Sequence, residues 1–189
     1  MFNINENTTF YIDMDGTLAK YRRKDFVRTP PLFMIEGLHY FKHQQPDTKM
    51  IRILRHILSC TNNVTILTSL PDTPLFYEQK QDKIDWLKKY CPFIDITTQF
   101  LITKSGKRQH IEEIQNKHLT RFDILIDDYN PNLIEWERGG GTGVKYLNGI
   151  NSRESYDGPV LPHNTSADTL ADFLVSFRPE LIPSPYRKD

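Results

Sequence analysis

The chain has 189 residues with 24 basic and 24 acidic side chains, so its formal net charge is zero. This length suits one domain, or one domain with a small insertion, and the charge balance argues against a protein that wraps nucleic acid. Two cysteines are too few for a disulfide scaffold, no apolar run reaches membrane-spanning length and no signal peptide is evident, so we expect a cytoplasmic protein.

A short apolar run at residues 10–12 leads into a turn that carries two aspartates. Side chains alternate between the faces of a strand, so Asp13 and Asp15 start on the same side and can converge where the strand ends. Gly16 permits the turn because it tolerates dihedral angles that other residues avoid. Adjacent carboxylates repel unless a cation or proton lies between them, which favours a Mg²⁺ site; the alternative is a solvated Asx-type turn.

The next stretch, residues 19–50, is basic and aromatic with weak periodicity, which indicates an insertion. We therefore predict an α/β core at residues 1–18 and 51–189 and a small cap at residues 19–50. The aromatic side chains that could line a substrate pocket, or else form the core of the cap, are Phe26, Phe33, Tyr40 and Phe41, and the three phenylalanines are the candidates for stacking on a base.

Strands and helices alternate in the rest of the chain. Strands are predicted at residues 64–67, within 93–102, at 122–126 and at 144–147. Helix caps are predicted at Asp47, Ser105, Asn130 and Ser166, Pro74 is predicted as a first helical residue, and Pro131 is predicted in the first turn of its helix. The alternation predicts an α/β fold: a doubly wound, Rossmann-like parallel sheet of about five strands flanked by helices, with a small helical cap inserted after the first strand.

Polar side chains follow three of these strands at the point where each strand ends. They are Asp13 and Asp15, Thr68 and Ser69, and Asp127 and Asp128. Because ligands of parallel sheets bind beyond the carboxyl ends of the strands, these side chains are expected to form one site.

Four motifs, in order along the chain, resemble the haloacid dehalogenase-like (HAD) superfamily of phosphotransferases. They are residues 13–17, Leu67-Thr68, Lys107 at a helix start, and residues 125–128. The resemblance runs from about residue 10 to about residue 147. Within the superfamily, the first motif, the Leu-Thr-Ser sequence and a lysine-rich helix with Trp86 look most like the 5'(3')-deoxyribonucleotidase group. Proteins of that group carry a small helical cap between the first and second motifs.

The two acids of the first motif suit phosphate-ester hydrolysis in two steps. Asp13, at the end of the strand, is the candidate nucleophile and would form an aspartyl-phosphate. Asp15 would protonate the leaving oxygen and later deprotonate the attacking water.

Two further groups would act on the phosphoryl oxygens. Thr68 can donate its hydroxyl, and Ser69 would be a second, substrate-binding donor. A lysine would neutralise the charge that is transferred. Lys107 is preferred over its rival Lys104, because Ser105 can cap the helix and place Lys107 in the first turn.

The resemblance implies that Mg²⁺ binds Asp13, the backbone carbonyl of Asp15, and Asp127, while Asp128 orients waters or the lysine. It also implies a small phosphate ester, such as a (deoxy)nucleotide, as substrate. Two alternatives stay open: a catalytically silent phosphate-binding or regulatory protein, and a phosphatase that acts on nucleic-acid ends. We expect neither a membrane nor nucleic acid as partner, and a homodimer is left open.

Two other patterns are discounted. The glycine-rich residues 139–145 lack the Gly-Lys-Ser/Thr ending of a phosphate loop. His39 and His43 are four residues apart, but no carboxylate or thiol nearby completes a zinc set, so solvated or core histidines are expected.

Overall fold

A parallel sheet forms the centre of the protein. A computed structural model describes residues 4–22, 24–25, 29–149 and 156–187, and within them six strands lie side by side, every neighbouring pair parallel. From edge to edge they are β5 (Phe100–Thr103), β4 (Val64–Ser69), β1 (Thr9–Ile12), β6 (Asp123–Asp127), β7 (Thr142–Tyr146) and β8 (Val160–Leu161). The predicted fold class is confirmed. The sheet has one strand more than expected, because β8 is only two residues long and too short to show a pattern.

Helices cover both faces of this sheet. Within the described residues they are α1 (Thr48–Cys60), α2 (Phe76–Tyr90), α3 (Lys107–Gln115), α4 (Asn130–Arg138) and α5 (Ala167–Val175). Among these residues, no helix combines the length and the apolar character needed to cross a membrane.

The alternation within β1 shows how the sequence builds both faces. Phe10 and Ile12 pack into one apolar cluster with residues of α1, α2 and α5. Tyr11 points the other way, into a cluster with residues of α3 and α4, where its ring lies 5.0 Å from that of Trp136. Each such buried side chain contributes roughly 1.5–3 kcal/mol, so both faces hold β1 in place.

Two of the predicted helix caps are confirmed. The side chain of Asp47 accepts hydrogen bonds from the backbone N–H groups of Lys49 and Met50, both at 3.1 Å. Ser166 caps α5 by accepting from the N–H of Thr169. Both helices therefore begin where a short polar side chain satisfies their free N–H groups.

The other three helices begin at residues that differ from those predicted, although Pro131 lies in the first turn of α4 as expected. Pro74 precedes α2, because a turn from Thr73 to Phe76 comes first. Ser105 does not cap α3, since its hydroxyl lies 3.0 Å from that of Thr103 and Gly106 is the N-cap residue. Asn130 is the first residue of α4 rather than its cap, and its side chain accepts a hydrogen bond from a buried lysine.

The insertion after β1 has a narrow stem. Strands β2 (Ala19–Lys20) and β3 (Gln45–Pro46) pair antiparallel at its two ends, and its described part includes 3₁₀ turns at Leu32–Met34 and Phe41–His43. Helix α1 starts three residues before the predicted boundary at residue 51. The division into core and cap stays a prediction.

Candidate active site

The carboxyl ends of three adjacent strands bring the predicted polar residues to one edge of the sheet. Strand β1 lies between β4 and β6, with Ile12 opposite Ile66 on one side and opposite Ile126 on the other. Residues that follow β1 therefore lie beside the ends of β4 and β6. Three of the predicted acids, Asp13, Asp127 and Asp128, are buried there.

The ammonium group of Lys107 joins the first and last motifs. Its Nζ contacts the carboxylate of Asp13 and lies 2.6 Å from Oδ2 of Asp127. Lys104, the rival lysine, is exposed instead and lies 2.6 Å from Asp72. Lys107 is therefore the lysine at the acids, although the Ser105 cap that was expected to place it there does not form.

Burial and neighbouring charges shift the pKa values of Asp13 and Lys107. The pKa of Asp13 is raised to about 7, because burial together with neighbouring Asp127 and Asp15 outweighs the opposing effect of Lys107. Burial lowers the pKa of Lys107, but the carboxylates of Asp127 and Asp13 more than offset this, so the pKa of the lysine is raised. One ammonium thus faces several buried acids, and a second cation would stabilise their ionised forms.

The donor set at this point suits a hard divalent cation. Asp13, Asp127 and Asp128 are all buried, and each offers a carboxylate oxygen such that the three oxygens lie within 4.8 Å of one another. Mg²⁺ prefers oxygen ligands of this kind. Asp128 thus belongs to the cluster together with Asp13 and Asp127. The carboxylate of Asp15 contacts Lys83 and Thr68 instead.

Asp15 is held by a lysine that the sequence analysis missed. Lys83, on α2, has no exposed surface; its Nζ contacts the carboxylate of Asp15 and lies 2.6 Å from Oγ1 of Thr68. Thr68 in turn donates to Oδ2 of Asp15 at 3.4 Å. The sequence does contain a sign that Lys83 is buried. It lies three residues before Trp86 and four before Leu87, on the face of α2 that should be apolar.

Backbone and amide groups hold the acids that follow β6. Oδ1 of Asp127 accepts from the N–H of Tyr129 at 2.8 Å, and its Oδ2 accepts from Asn132 at 2.9 Å. Oδ2 of Asp128 accepts from the side-chain amide of Asn148 at 2.7 Å. The two asparagines were not predicted, because nothing local distinguishes them from ordinary turn residues.

The predicted substrate-binding residues lie in different places. Ser69 ends β4 with an exposed side chain. Phe41 is 2% exposed and packs against Phe33, with Nζ of Lys83 4.6 Å from its ring centre. Phe26 lies outside the described residues. Phe41 is therefore part of the packing beneath the insertion and does not offer a free ring face.

A cavity of about 530 Å³ opens within the insertion, and its wall does not include Phe33 or Phe41. Among the described residues of the wall, the aromatic side chains include Tyr21 and Tyr40, and the charged ones include Lys20, Arg22 and Asp25. One residue of the cavity wall, Tyr21, contacts the first motif, because a Cβ atom at Gly16 would lie 2.6 Å from its ring.

Comparison with known proteins identifies the fold. No protein-family model and no curated protein sequence matches the chain. Among solved structures, the chain is similar to the crystal structure of a HAD-superfamily hydrolase from Ehrlichia chaffeensis, with a TM-score of 0.50 and 13% sequence identity. The match covers 88% of this chain and 95% of that one. The chain has a HAD-type fold. The similarity agrees with the predicted resemblance at the level of the superfamily fold.

Proposed function

We propose that this protein is a Mg²⁺-dependent phosphomonoester hydrolase of the HAD type. The observation that carries the proposal is the position of Asp13. Its carboxylate is buried, accepts a hydrogen bond from Lys107, and has an oxygen within 4.8 Å of carboxylate oxygens of Asp127 and Asp128. A carboxylate in this setting has both a fixed orientation and positive charge beside it, as an attacking group on phosphorus requires.

The chain's own residues account for both half-reactions. Asp13 attacks phosphorus, and the bond from phosphorus to the leaving oxygen breaks while Asp15 donates a proton to that oxygen. Asp15 then takes a proton from a water that attacks the aspartyl-phosphate, which releases phosphate and restores Asp13. Lys107 and the hydroxyl of Thr68 would stabilise charge on the phosphoryl oxygens. Mg²⁺, held by Asp13, Asp127 and Asp128, would neutralise phosphate charge.

Lys83 would act on Asp15 rather than on Asp13. Its ammonium contacts the Asp15 carboxylate and fixes the Thr68 hydroxyl next to it. An acid–base group must be held within hydrogen-bond reach of the oxygen that it protonates. We therefore assign Lys83 as the residue that positions Asp15.

A nucleotide is the substrate class that we propose. The cavity of about 530 Å³ is large enough for a small organic ligand, and its tyrosines offer aromatic surface for a base. The resemblance to the deoxyribonucleotidase group points the same way. The proposed base-binding surface consists of Tyr40, one of the pocket candidates in the sequence, and Tyr21; Phe33 and Phe41 are not part of the cavity wall.

Phosphate release from an aryl phosphate, with Mg²⁺ and with a chelator, tests the reaction. Asp13→Asn should lower the rate at least ~10³-fold with the fold intact, and Asp168→Asn, an exposed aspartate on α5, should leave it unchanged. Lys107→Met should lower kcat about 10²–10³-fold. Full activity of Asp13→Asn, or absence of any Mg²⁺-dependent release by the unmodified protein, would contradict the proposal.

A panel of phosphate esters tests the substrate class. Nucleoside monophosphates should have a higher kcat/KM than sugar phosphates, and Tyr40→Ala should reduce that ratio while leaving aryl phosphate hydrolysis in place. A strong preference for sugar phosphates would show that the cavity does not bind a base.

A further inference from the structure

A second group of metal-ligating side chains lies where the insertion meets α2. His39 comes from the insertion, and Glu78 and Asp82 come from α2. Each offers one ligand atom, and the three atoms all lie within 4.8 Å of one another. This group shares no residue with the acids that surround Asp13.

The fold creates this group from two remote segments. Glu78 and Asp82 are one helical turn apart, so they lie on the same face of α2. His39, 43 residues before Asp82, approaches that face and places its Nδ1 2.8 Å from Oδ1 of the aspartate. His39 was not expected to bind a metal, because no carboxylate lies near it in the sequence. The fold brings Glu78 and Asp82 to it.

The buried carboxylate of Asp82 has an oxygen without a partner among the described residues, which indicates a ligand. Its side chain is 4% exposed, and its Oδ2 atom is buried with no hydrogen-bond partner among the described residues. A buried carboxylate oxygen without a partner is costly, and a cation at this point would satisfy it. The contact with His39 satisfies the other oxygen only.

The mixed ligand set indicates the class of ion. Mg²⁺ prefers a shell made of oxygen atoms, whereas Zn²⁺ takes imidazole nitrogen together with carboxylate oxygen. Three protein ligands and a water complete the usual four-coordinate zinc shell. Ligand atoms of a tetrahedral zinc ion lie about 3.3 Å apart, and the three ligand atoms of this group, all within 4.8 Å of one another, can reach that spacing by small side-chain movements.

We propose that His39, Glu78 and Asp82 bind a Zn²⁺ ion that ties the insertion to α2. Helix α2 also carries Lys83, which holds Asp15, so the ion fastens the insertion to the helix that supports the active site. The proposal is independent of the proposed hydrolase activity, because it depends on the ligand set alone.

Calorimetric titration of metal-stripped, tag-free protein with Zn²⁺ tests the site. The unmodified protein should bind one Zn²⁺ that His39→Ala and Glu78→Gln each weaken more than ~10-fold, the least expected even for removal of an outer-shell partner. The matched control is His118→Ala, because His118 is an exposed histidine beside a single acid, Glu112. This variant should bind Zn²⁺ as the unmodified protein does.

Equal Zn²⁺ affinity in the unmodified protein and in His39→Ala would overturn the proposal. Zn²⁺ binding that survives in His39→Ala and disappears in Asp127→Asn would also overturn it, since the ion would then belong to the acids around Asp13. A measurement on the unmodified chain removes any dependence on how the variants fold. Zn²⁺ should shift the imidazole ¹⁵N resonances of His39 while those of His118 stay in place, and unshifted His39 resonances would refute the site.

Discussion

A Cβ atom at Gly16 would lie only 2.3 Å from Oδ2 of Asp128. The turn of the first motif and the acid that follows β6 are therefore in direct contact. The side-chain amide of Asn148 joins them as well, because it donates to the backbone carbonyl of Gly16 at 2.8 Å and to Oδ2 of Asp128 at 2.7 Å. Glycine is needed here both for this close approach and for its φ of +90°.

Gly16→Ala should therefore impair both stability and the acid cluster. We expect a loss of about 1–3 kcal/mol from the strained backbone, together with weaker Mg²⁺ dependence because Asp128 is displaced. The control is Gly37→Ala, which has φ +71° but open space around the added methyl group. Urea denaturation and Mg²⁺ titration of activity would measure both effects. Similar Mg²⁺ dependence in the two variants would show that contact with Asp128 does not matter.

Lys83→Met should lower kcat about 10²-fold, because Asp15 loses the ammonium that orients it. Methionine keeps most of the side-chain volume in this buried position. Lys104→Met is the matched control, since Lys104 is exposed and contacts Asp72. A positioning role predicts that Lys83→Arg restores part of kcat while KM changes little. Unchanged kcat in Lys83→Met would remove this lysine from the mechanism.

Asp47→Ala should destabilise the fold more than an ordinary loss of a helix cap. Asp47 caps α1 and also accepts from the buried hydroxyl of Tyr146 at 2.9 Å. Loss of the cap costs ~1 kcal/mol, and leaving the hydroxyl without a partner adds ~1–3 kcal/mol. Ser166→Ala removes the cap of α5 alone and should cost ~1 kcal/mol. Equal free energies of unfolding for the two variants would contradict the contribution of Tyr146.

The two cysteines should differ sharply in reactivity. Cys60 is exposed, whereas burial raises the pKa of Cys91 to about 12, with Arg55 opposing the rise. At pH 8, Ellman's reagent should therefore titrate one thiol in the native protein and two in guanidinium chloride. In Cys60→Ser the fast reaction should disappear. Rapid reaction of both native thiols would contradict the burial of Cys91.

The raised pKa of Cys91 also affects the stability of the fold at high pH. Because the pKa of Cys91 is higher in the folded state, the unfolded chain ionises first as pH rises. The Cys91 contribution to the free energy of unfolding should therefore fall from pH ~8.5, the ordinary thiol value, toward pH 12. Cys91→Ala should show a smaller decline over this range.

The sequence was sufficient to predict a parallel sheet flanked by helices and the edge at which the acids meet. The apolar run before Asp13 and the one before Asp127 are local patterns, and parallel strands necessarily align their carboxyl ends. The position of Lys107 beside both acids agrees with the order of motifs, although the reason given for it, a Ser105 cap, was wrong. A shift of one residue in the start of a helix cannot be read from residue preferences alone.

Only the tertiary structure decided which remote side chains meet. Lys83 meets Asp15 because α2 packs against the first motif, and His39 meets Asp82 because the insertion packs against α2. The tyrosines of the cavity wall come together through the folding of the insertion itself. Local periodicity specifies which face of an element is buried, but it carries no information about what lies against that face. Once buried, these charged residues must be paired, because a charge that is removed from water without a partner is costly.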